Sequence, residues 1–387
     1  MNVMIKNNFD VAESVSEGHP DKICDQISDK ILDECLKQDR NSRVACETFI
    51  TREFVLIGGE ITSNAVLNYE KIVRDVLFNI GYLNQKIGIG YNTCQIKVLI
   101  QKQSIELKKA ISLKKQKICA GDQTIVVGFA TNENNAYMPT AIFLANEIMK
   151  YASFLRKKKL LKYARPDMKV QIIMNCKKIE NILISVQHDK EVNKKEFENF
   201  IYKNILLTTV KKYGFNTDFN FLINPSGSFV CGGPSADTGL TGRKLMCDSY
   251  GVACSHGGGS FSGKDATKLD RSGAYYARYI AKNLVSAGVA DKIEVKIVYI
   301  IGYPEPKKIF FKAFNQHYDD SVIESIICKF FDASVENIIK TFSLDKPTFN
   351  YFDVSKYGHF GRLELDLPWE KTDKAKAINK EIKEKYN

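Results

Sequence analysis

The sequence predicts a mixed α and β fold made of more than one unit, and three observations support this. A chain of 387 residues corresponds to two or three domains of ordinary size. Apolar runs with strand character alternate with stretches of helical periodicity, and this succession recurs about three times. Hydrophobic residues make up 44% of the chain and charged residues 26%, which is enough to build a sizeable buried core.

The first helix is predicted to begin at Pro20, because proline suits a first helical turn where its missing N–H leaves no bond unmade. An apolar stripe at helical spacing predicts its buried side: Ile23, Ile27, Ile31 and Cys35. A second stripe is acidic, and the pattern predicts a solvated face for most of it: Asp21, Asp25, Asp29 and Asp33. Asp21 is the exception, since together with His19 it forms a compact pair at the helix start. A lone histidine is more often structural, so this pair needs further context.

The remaining elements follow from periodicity and from turn residues. Strands are predicted at 44–50, 54–62, 94–101, 124–131, 170–175, 179–188, 219–223, 293–302 and 307–314. Helices are predicted at 65–81, 139–161, 194–213, 270–288 and 321–331. The polar, lysine-rich stretch 102–117 is only weakly periodic and is predicted to be a loop.

The stretch from Asn224 to Ser272 carries the chemical signal. Ten of the 24 glycines fall within it, and such a segment can bring bare backbone N–H groups close to a ligand. Cations are interleaved with the glycines, as a polyphosphate requires: Arg243, Lys244, Lys264, Lys268 and Arg271. Carboxylates in the same stretch suggest Mg²⁺: Asp237, Asp248, Asp265 and Asp270. The stretch predicts a nucleotide with its metal; the alternative is a glycine-rich surface loop with solvated charges.

One motif within this stretch is misleading. Residues Gly258 to Lys264 satisfy the G-x-x-x-x-G-K pattern of a P-loop. A full P-loop continues with serine or threonine, whereas Asp265 stands here, and the expected helix does not follow directly. We therefore interpret the match as accidental.

Composition argues against several other classes of protein. No apolar run reaches transmembrane length and no signal peptide is visible, so we expect no membrane association. Ten cysteines without a C-x-x-C pair argue against zinc or a disulfide framework and favour a reducing cytoplasm; Cys24, Cys35 and Cys46 sit at apolar positions. The net charge of +11 comes largely from lysine runs without interleaved aromatic residues, so we expect no nucleic-acid ligand.

Five motifs occur in an order that resembles the S-adenosylmethionine synthetase (methionine adenosyltransferase) family. They are SEGHPDK from Ser16, AGDQ from Ala120, GGP from Gly232, DTGLTGRK from Asp237 and HGGGSFSGKD from His256. The likeness extends through YGHFGR from Tyr357 and PWEKTDKA from Pro368. It implies an α+β fold of three intertwined, similarly folded sheet-plus-helix domains with pseudo-threefold symmetry. The implied domains span residues 1–105, 116–231 and 232–387.

The resemblance implies a reaction that joins ATP and L-methionine and then hydrolyses tripolyphosphate to pyrophosphate and phosphate. It places the catalytic residues at His19, Lys169, Asp237, Arg243 and Lys264. It adds ATP contacts at Asp167, Phe229, Lys244 and Ser260, and methionine contacts at Glu60, Gln103, Asp122, Asp237 and Lys268. Two Mg²⁺ ions per active site are expected at Asp21 and Asp270, and one K⁺ per subunit at Glu47. A homodimeric active site within a homotetramer is also implied.

Two departures from the family pattern stand out. Ser228 replaces an arginine that often precedes the adenine-stacking phenylalanine, and Ile105-Glu106-Leu107 replaces Pro-Asp-Ile in the expected lid. Three alternatives to an active synthetase stay open: a catalytically impaired homologue acting as a regulatory subunit, a P-loop kinase or NTPase, and a nucleic-acid-binding module.

Overall fold

The computed structural model describes residues 9–102 and 117–385, which contain three β-sheets covered by helices. The strands are β1 (Phe9–Val15), β2 (Arg43–Thr51), β3 (Phe54–Thr62), β4 (Gln95–Gln101), β5 (Thr124–Thr131), β6 (Ala164–Asn175), β7 (Lys178–His188), β8 (Asn220–Ile223), β9 (Gly239–Leu240), β10 (Ala290–Tyr299) and β11 (Lys308–Gln316). The helices are α1 (Pro20–Gln38), α2 (Tyr69–Ile80), α3 (Thr140–Lys157), α4 (Lys194–Phe200), α5 (Thr208–Lys212), α6 (Leu245–Asp248), α7 (Leu269–Ser286), α8 (Asp320–Phe330), α9 (Val335–Phe342), α10 (Tyr351–Val354) and α11 (Ala375–Lys385). A π-helical stretch, Ile201–Leu207, joins α4 to α5.

Each sheet is built around one antiparallel hairpin, and the pairing pattern repeats. The hairpins are β2–β3, β6–β7 and β10–β11. In every sheet an antiparallel strand joins the first hairpin strand: β9 beside β2, β1 beside β6 and β5 beside β10. In two sheets a parallel strand joins the second: β4 beside β3 and β8 beside β7. The α+β fold of three similar units is thereby confirmed.

The units exchange strands in a cycle. A long helix precedes each hairpin, and a strand precedes each helix: β1 before α1, β5 before α3 and β9 before α7. None of these strands enters the sheet of its own unit. β1 joins the second sheet, β5 the third and β9 the first. This is the intertwining that the family resemblance implies, and it brings distant segments of the chain together at the starts of the long helices.

Most predicted elements are confirmed, with boundary shifts of a few residues. Strand β6 begins six residues earlier than predicted, and α7 begins at Leu269 with Lys268 rather than Asp270 as its N-cap. The sequence pattern does not predict strands β1 and β9 or helices α6, α9, α10 and α11. The expected lid, including Gln103 and residues 105–107, lies outside the described residues apart from its ends.

The acidic stripe of α1 contradicts the prediction of a solvated face. Asp21, Asp25, Asp29 and Asp33 are all at least 96% buried. Each accepts a backbone N–H from a segment more than two hundred residues later in the chain. The prediction failed because helical periodicity shows that four side chains share a face but does not show what covers that face. Here the cover comes from segments between Leu240 and Phe352.

All ten cysteines are free thiols, and Cys24, Cys35 and Cys46 lie in the core as predicted. No helix in the described ranges combines the length and apolarity needed to span a bilayer.

We expect an Asp33→Asn variant to gain stability relative to the parent as the pH rises from about 5 to about 8. Burial raises the pKa of Asp33 to about 7, although the N–H groups of Phe352 and Tyr351 oppose the shift. The folded parent therefore holds a proton that the unfolded chain releases near pH 4. Its stability falls as the pH rises through this window, by at most about 4 kcal/mol, whereas an amide does not titrate. Urea-unfolding midpoints across the pH range check this.

The exposed Asp75 provides the matched control. An Asp75→Asn variant, unfolded at the same pH values, shows how much of the effect comes from any aspartate-to-asparagine change on the surface. A stability difference between Asp33→Asn and the parent that stays constant with pH would contradict the prediction.

Candidate active site

The start of α1 brings together the first group of predicted site residues. His19 is the N-cap of α1 and is 1% exposed; its Nδ1 accepts the Asp21 backbone N–H at 3.2 Å. One oxygen of the Asp21 carboxylate accepts the Leu240 N–H at 3.0 Å, and the other contacts Lys244 Nζ at 2.6 Å. Arg243 Nε lies 3.5 Å from the same carboxylate. A histidine, a carboxylate and two cations are thus held together at one helix start.

The protonation states of this pair follow from burial and from neighbouring charge. Burial, with the positive charge of Lys244, lowers the pKa of His19 to about 3, so its imidazole is neutral. Because Nδ1 accepts the Asp21 N–H, the ring proton resides on Nε2, which is therefore a hydrogen-bond donor. Burial alone would raise the pKa of Asp21, but its bonds to Lys244 and Leu240 outweigh burial and hold that pKa below its ordinary value.

Strand β6 adds further predicted residues. Asp167 is 5% exposed; its Oδ2 accepts the Gly233 N–H at 2.9 Å, while its buried Oδ1 has no partner among the described residues. Burial raises the pKa of Asp167 to about 6, and the charges of Lys169, Asp237 and Lys244 also act on it. We call these residues the His19 group: His19, Asp21, Asp167, Lys169, Asp237 and Lys244.

Phe229 is held next to this group by its backbone. Its N–H donates to His188 Nε2 at 3.1 Å, and its carbonyl accepts the His188 N–H at 3.0 Å. The ring remains half-buried, and Asp237, Lys169 and Ser228 are exposed.

A second set, the Lys264 group, comprises Thr124, Lys264 and Asp270. Lys264 Nζ contacts Asp270 Oδ2 at 2.6 Å, and Thr124 Oγ1 donates to Asp270 Oδ1 at 2.6 Å. Asp270 lies in the first turn of α7 and is about a quarter exposed. The loop that carries Lys264 is bonded to Asp29, which lies two helical turns, or roughly 12 Å, from Asp21 along α1.

Apart from Asp237, the predicted methionine and K⁺ residues that the structure describes belong to neither group as defined. Glu47 and Glu60 are exposed on β2 and β3, and line one cavity of about 380 Å³ with Leu240. Lys268 is bound to Asp265 Oδ2 at 2.5 Å. Asp122 is exposed, with its Oδ1 accepting the Gln123 N–H. The Ser260 hydroxyl has no partner among the described residues.

Two carboxylates of the glycine-rich stretch do not reach the site, contrary to the prediction from composition. Asp248 is buried with Lys22, and Asp265 accepts the N–H groups of Val44 and Thr267. Both are structural. Sequence reasoning also missed Thr124, and it missed the part that Asp25, Asp29 and Arg271 play in holding the loops. The four-residue spacing of the aspartates was the available signal.

Three interlocked α+β units, with cations and carboxylates collected where they meet, define an enzyme built from related domains. Family models of S-adenosylmethionine synthetase match it in three parts: the N-terminal domain at residues 7–105, the central domain at 117–229 and the C-terminal domain at 231–371. The chain belongs to the S-adenosylmethionine synthetase family of enzymes.

Similar proteins in other organisms carry the same family name. An S-adenosylmethionine synthase of Mycoplasma mycoides is 52% identical over 384 residues, 98% of either chain. That of Mesoplasma florum is 52% identical, covering 95% of this chain and 98% of its own. That of Clostridium tetani is 44% identical, covering 95% and 97%. The similarity spans all three units.

We expect Gly263→Ala to disable the site and Gly258→Ala to leave it working. Gly263 has φ +79°, and a Cβ there would lie 1.9 Å from the Cys46 carbonyl oxygen, so the loop that carries Lys264 must move. Gly258 has φ +93° but open space around it. Both variants bear the left-handed backbone cost of roughly 1–2 kcal/mol; only the first adds a clash. Steady-state kcat/KM and urea-unfolding midpoints of the two variants provide the measurement.

A tenfold or larger loss of kcat/KM is expected for Gly263→Ala alone. Equal activity in the two variants would show that the tight contact with Cys46 does not hold the loop.

Proposed function

We propose that the protein makes S-adenosyl-L-methionine from ATP and L-methionine, and then hydrolyses the tripolyphosphate to pyrophosphate and phosphate. Membership of the family supports the synthesis of S-adenosylmethionine. The observation that carries the residue assignment is the His19 group, in which a neutral donor, a carboxylate and several cations converge. The reaction class is a nucleophilic displacement at C5′ of the ATP ribose.

The first step makes a specific electrostatic demand. The methionine sulfur attacks C5′, the C5′–O5′ bond breaks, and the electron pair leaves with the triphosphate. Thioether sulfur is already nucleophilic, so this step needs no general base and depends on positioning. Negative charge accumulates on the leaving group, which Lys169, Arg243, Lys244 and Lys264 would stabilise. Phe229 would stack on adenine, and Asp167 would contact the nucleotide.

His19 would act as a hydrogen-bond donor rather than as an acid. Its imidazole is neutral, and its Nε2 carries the proton because Nδ1 accepts a backbone N–H. A donor aimed at O5′ stabilises the charge that develops there as the bond to carbon breaks. The N-cap hydrogen bond from the Asp21 N–H to Nδ1 fixes the Nε2-protonated tautomer that this role requires.

Two Mg²⁺ ions fit the chemistry of Asp21 and Asp270. Each carboxylate pairs with a lysine ammonium group. Each therefore lies in a position where it stabilises a positive charge, as a Mg²⁺ ligand must. Among the described residues no three His, Cys, Asp or Glu side chains gather into a metal cluster. A Mg²⁺ held by one carboxylate, phosphate oxygens and water is consistent with this. When bound, the ions would neutralise part of the triphosphate charge.

The amino-acid end of methionine needs partners of both signs. Glu60, Asp122 and Asp237 would meet its ammonium group, and Lys268 and Gln103 its carboxylate. Glu47 would hold K⁺; its carboxylate is exposed and makes no ion pair with another described residue. One carboxylate does not complete a K⁺ site, so further oxygen ligands are required.

We further propose a homodimeric active site within a homotetramer, in the cytoplasm. Lys264 pairs with Asp270 whereas Asp21 pairs with Lys244, and this division of the charged residues supports a site completed by a second subunit. Each sheet also exposes large apolar side chains, among them Leu99, Phe221 and Phe310. Such surfaces are typical of subunit interfaces. The domain spans proposed are residues 1–105, 116–231 and 232–387.

A catalytically impaired regulatory homologue is not favoured, because His19, Asp21, Lys264 and Asp270 are all present and in contact with charged or polar partners. The deciding assay incubates purified protein with ATP, methionine, Mg²⁺ and K⁺. S-adenosylmethionine together with pyrophosphate and phosphate is the expected outcome. Accumulating tripolyphosphate would remove the second step from the proposal, and a folded, ATP-binding protein that forms no product would overturn it.

We expect His19→Asn to retain more activity than His19→Ala. An asparagine side chain still carries an N–H donor, whereas alanine leaves O5′ without one. Losing one such donor typically costs about 10²–10³-fold in kcat. Single-turnover formation of S-adenosylmethionine measures the chemical step directly. Equal losses in both variants would show that hydrogen-bond donation is not the function of this residue.

We expect the parent protein, with Ser228, to be active, and Ser228→Arg to lower the KM for ATP with little change in kcat. An added guanidinium next to Phe229 would strengthen phosphate binding in the ground state and the transition state alike. Initial rates at varied ATP check this, with Ser228→Gln as a control of similar length and no charge. An unchanged KM would show that an arginine at this position is not needed here.

A further inference from the structure

The two loops that carry the cations of the candidate site are attached to α1 in the same way. Gly242, directly before Arg243, donates its N–H to Asp25 Oδ1 at 2.9 Å. Gly263, directly before Lys264, donates its N–H to Asp29 Oδ1 at 2.8 Å. Both aspartates are fully buried and lie one helical turn apart. In each loop, therefore, a buried carboxylate binds the residue immediately before a cation.

Asp29 is itself held in a fixed orientation. Arg271 binds it through both terminal nitrogens, at 2.7 and 2.8 Å. The same guanidinium donates to the Lys264 carbonyl at 3.3 Å, and its Nε donates to Tyr275 Oη at 3.0 Å. The Asp29–Arg271 pair thus binds the Gly263 N–H and the Lys264 carbonyl on either side of the lysine backbone. A bidentate pair of this kind constrains direction as well as distance.

Asp25 is oriented by a different partner. Lys22 Nζ contacts Asp25 Oδ2 at 2.8 Å and also pairs with Asp248, and all three side chains are buried. Asp25 Oδ1 is thereby directed at Gly242. The two loops are fixed to one rigid helix whose N-cap is His19.

We propose that Asp25 and Asp29, with Arg271, are positioning residues that set the distances between the Arg243–Lys244 cations, the Lys264 cation and His19. This inference rests on the proposed function, since it assumes that those cations act on the substrate. None of the three positioning side chains is exposed enough to touch a ligand. Displacing a catalytic group by about 1 Å can cost roughly 10²-fold in rate, so their effect should exceed any effect on substrate capture.

Asp33 is a matched control for Asp25 and Asp29. It is a buried carboxylate one turn beyond Asp29 on the same face of α1, and it also accepts backbone N–H groups. Its donors, Tyr351 and Phe352, belong to α10, which carries no predicted site residue. If a buried carboxylate on this face served only the fold of α1, kcat should respond alike in all three variants, whereas a positioning loss should spare Asp33.

The experiment compares Asp25→Asn, Asp29→Asn and Asp33→Asn in the full-length protein at about pH 8. We expect kcat for S-adenosylmethionine formation to fall by roughly 10²-fold in the first two, with the KM for methionine changing less than about threefold. The third should keep kcat within about twofold. Hydrogen exchange should speed up at 239–246 in Asp25→Asn and at 259–266 in Asp29→Asn, and in neither segment in Asp33→Asn.

Arg271→Lys keeps the positive charge but loses the bidentate contact with Asp29. This variant tests the positioning role of the pair if Asp29→Asn does not fold. It should lower kcat in the same way, and its effect should not add to that of Asp29→Asn. Equal kcat losses in all three aspartate variants, or unchanged exchange in the loops, would overturn the inference. A parent protein that forms no S-adenosylmethionine would instead refute the proposed function.

Discussion

A row of buried carboxylates on helix α1 binds segments from the second half of the chain to this N-terminal helix. Asp21, Asp25, Asp29 and Asp33 succeed one another every four residues, and each binds a backbone N–H group from a segment more than two hundred residues later. Buried charges are stable only when they are paired and hydrogen-bonded, and removing one partner costs about 3–5 kcal/mol. Lys244, Lys22 and Arg271 pair with the first three. Folding and the assembly of the site therefore depend on the same contacts.

The row also explains why the glycine-rich stretch is ordered. A polar segment with ten glycines has little side-chain surface to bury, and fixing each backbone residue costs about 1–2 kcal/mol of conformational entropy. Bonds from its N–H groups to ionised acceptors are stronger than bonds between neutral groups. Fixed in this way, the loops can keep Arg243 and part of Lys264 exposed while their backbone remains in place.

Local periodicity predicted most strands and helices, because an apolar stripe is visible in a single segment. It could not predict β9, two residues long, which exists only because β2 offers it partners. Motifs brought out the residues of the candidate site that lie close together, namely His19, Asp21, Lys244 and Asp167; their roles stay a prediction. The sequence pattern failed for Asp25 and Asp29, whose burial depends on segments more than two hundred residues away. Asp248 and Asp265 carry carboxylates, as metal ligands do. Asp248 is instead paired with Lys22, and Asp265 accepts the Val44 N–H, so both serve the fold.

The cyclic exchange of strands has a consequence for biosynthesis. The sheet formed by β1, β6, β7 and β8 has all its strands once Ile223 has been made. The sheet of the first hairpin still lacks β9, which ends at Leu240, and the third sheet is complete only at Gln316. The unit that leaves the ribosome first is therefore not the first whose sheet can be completed, because its hairpin ends at Thr62 and the strand that joins it begins only at Gly239.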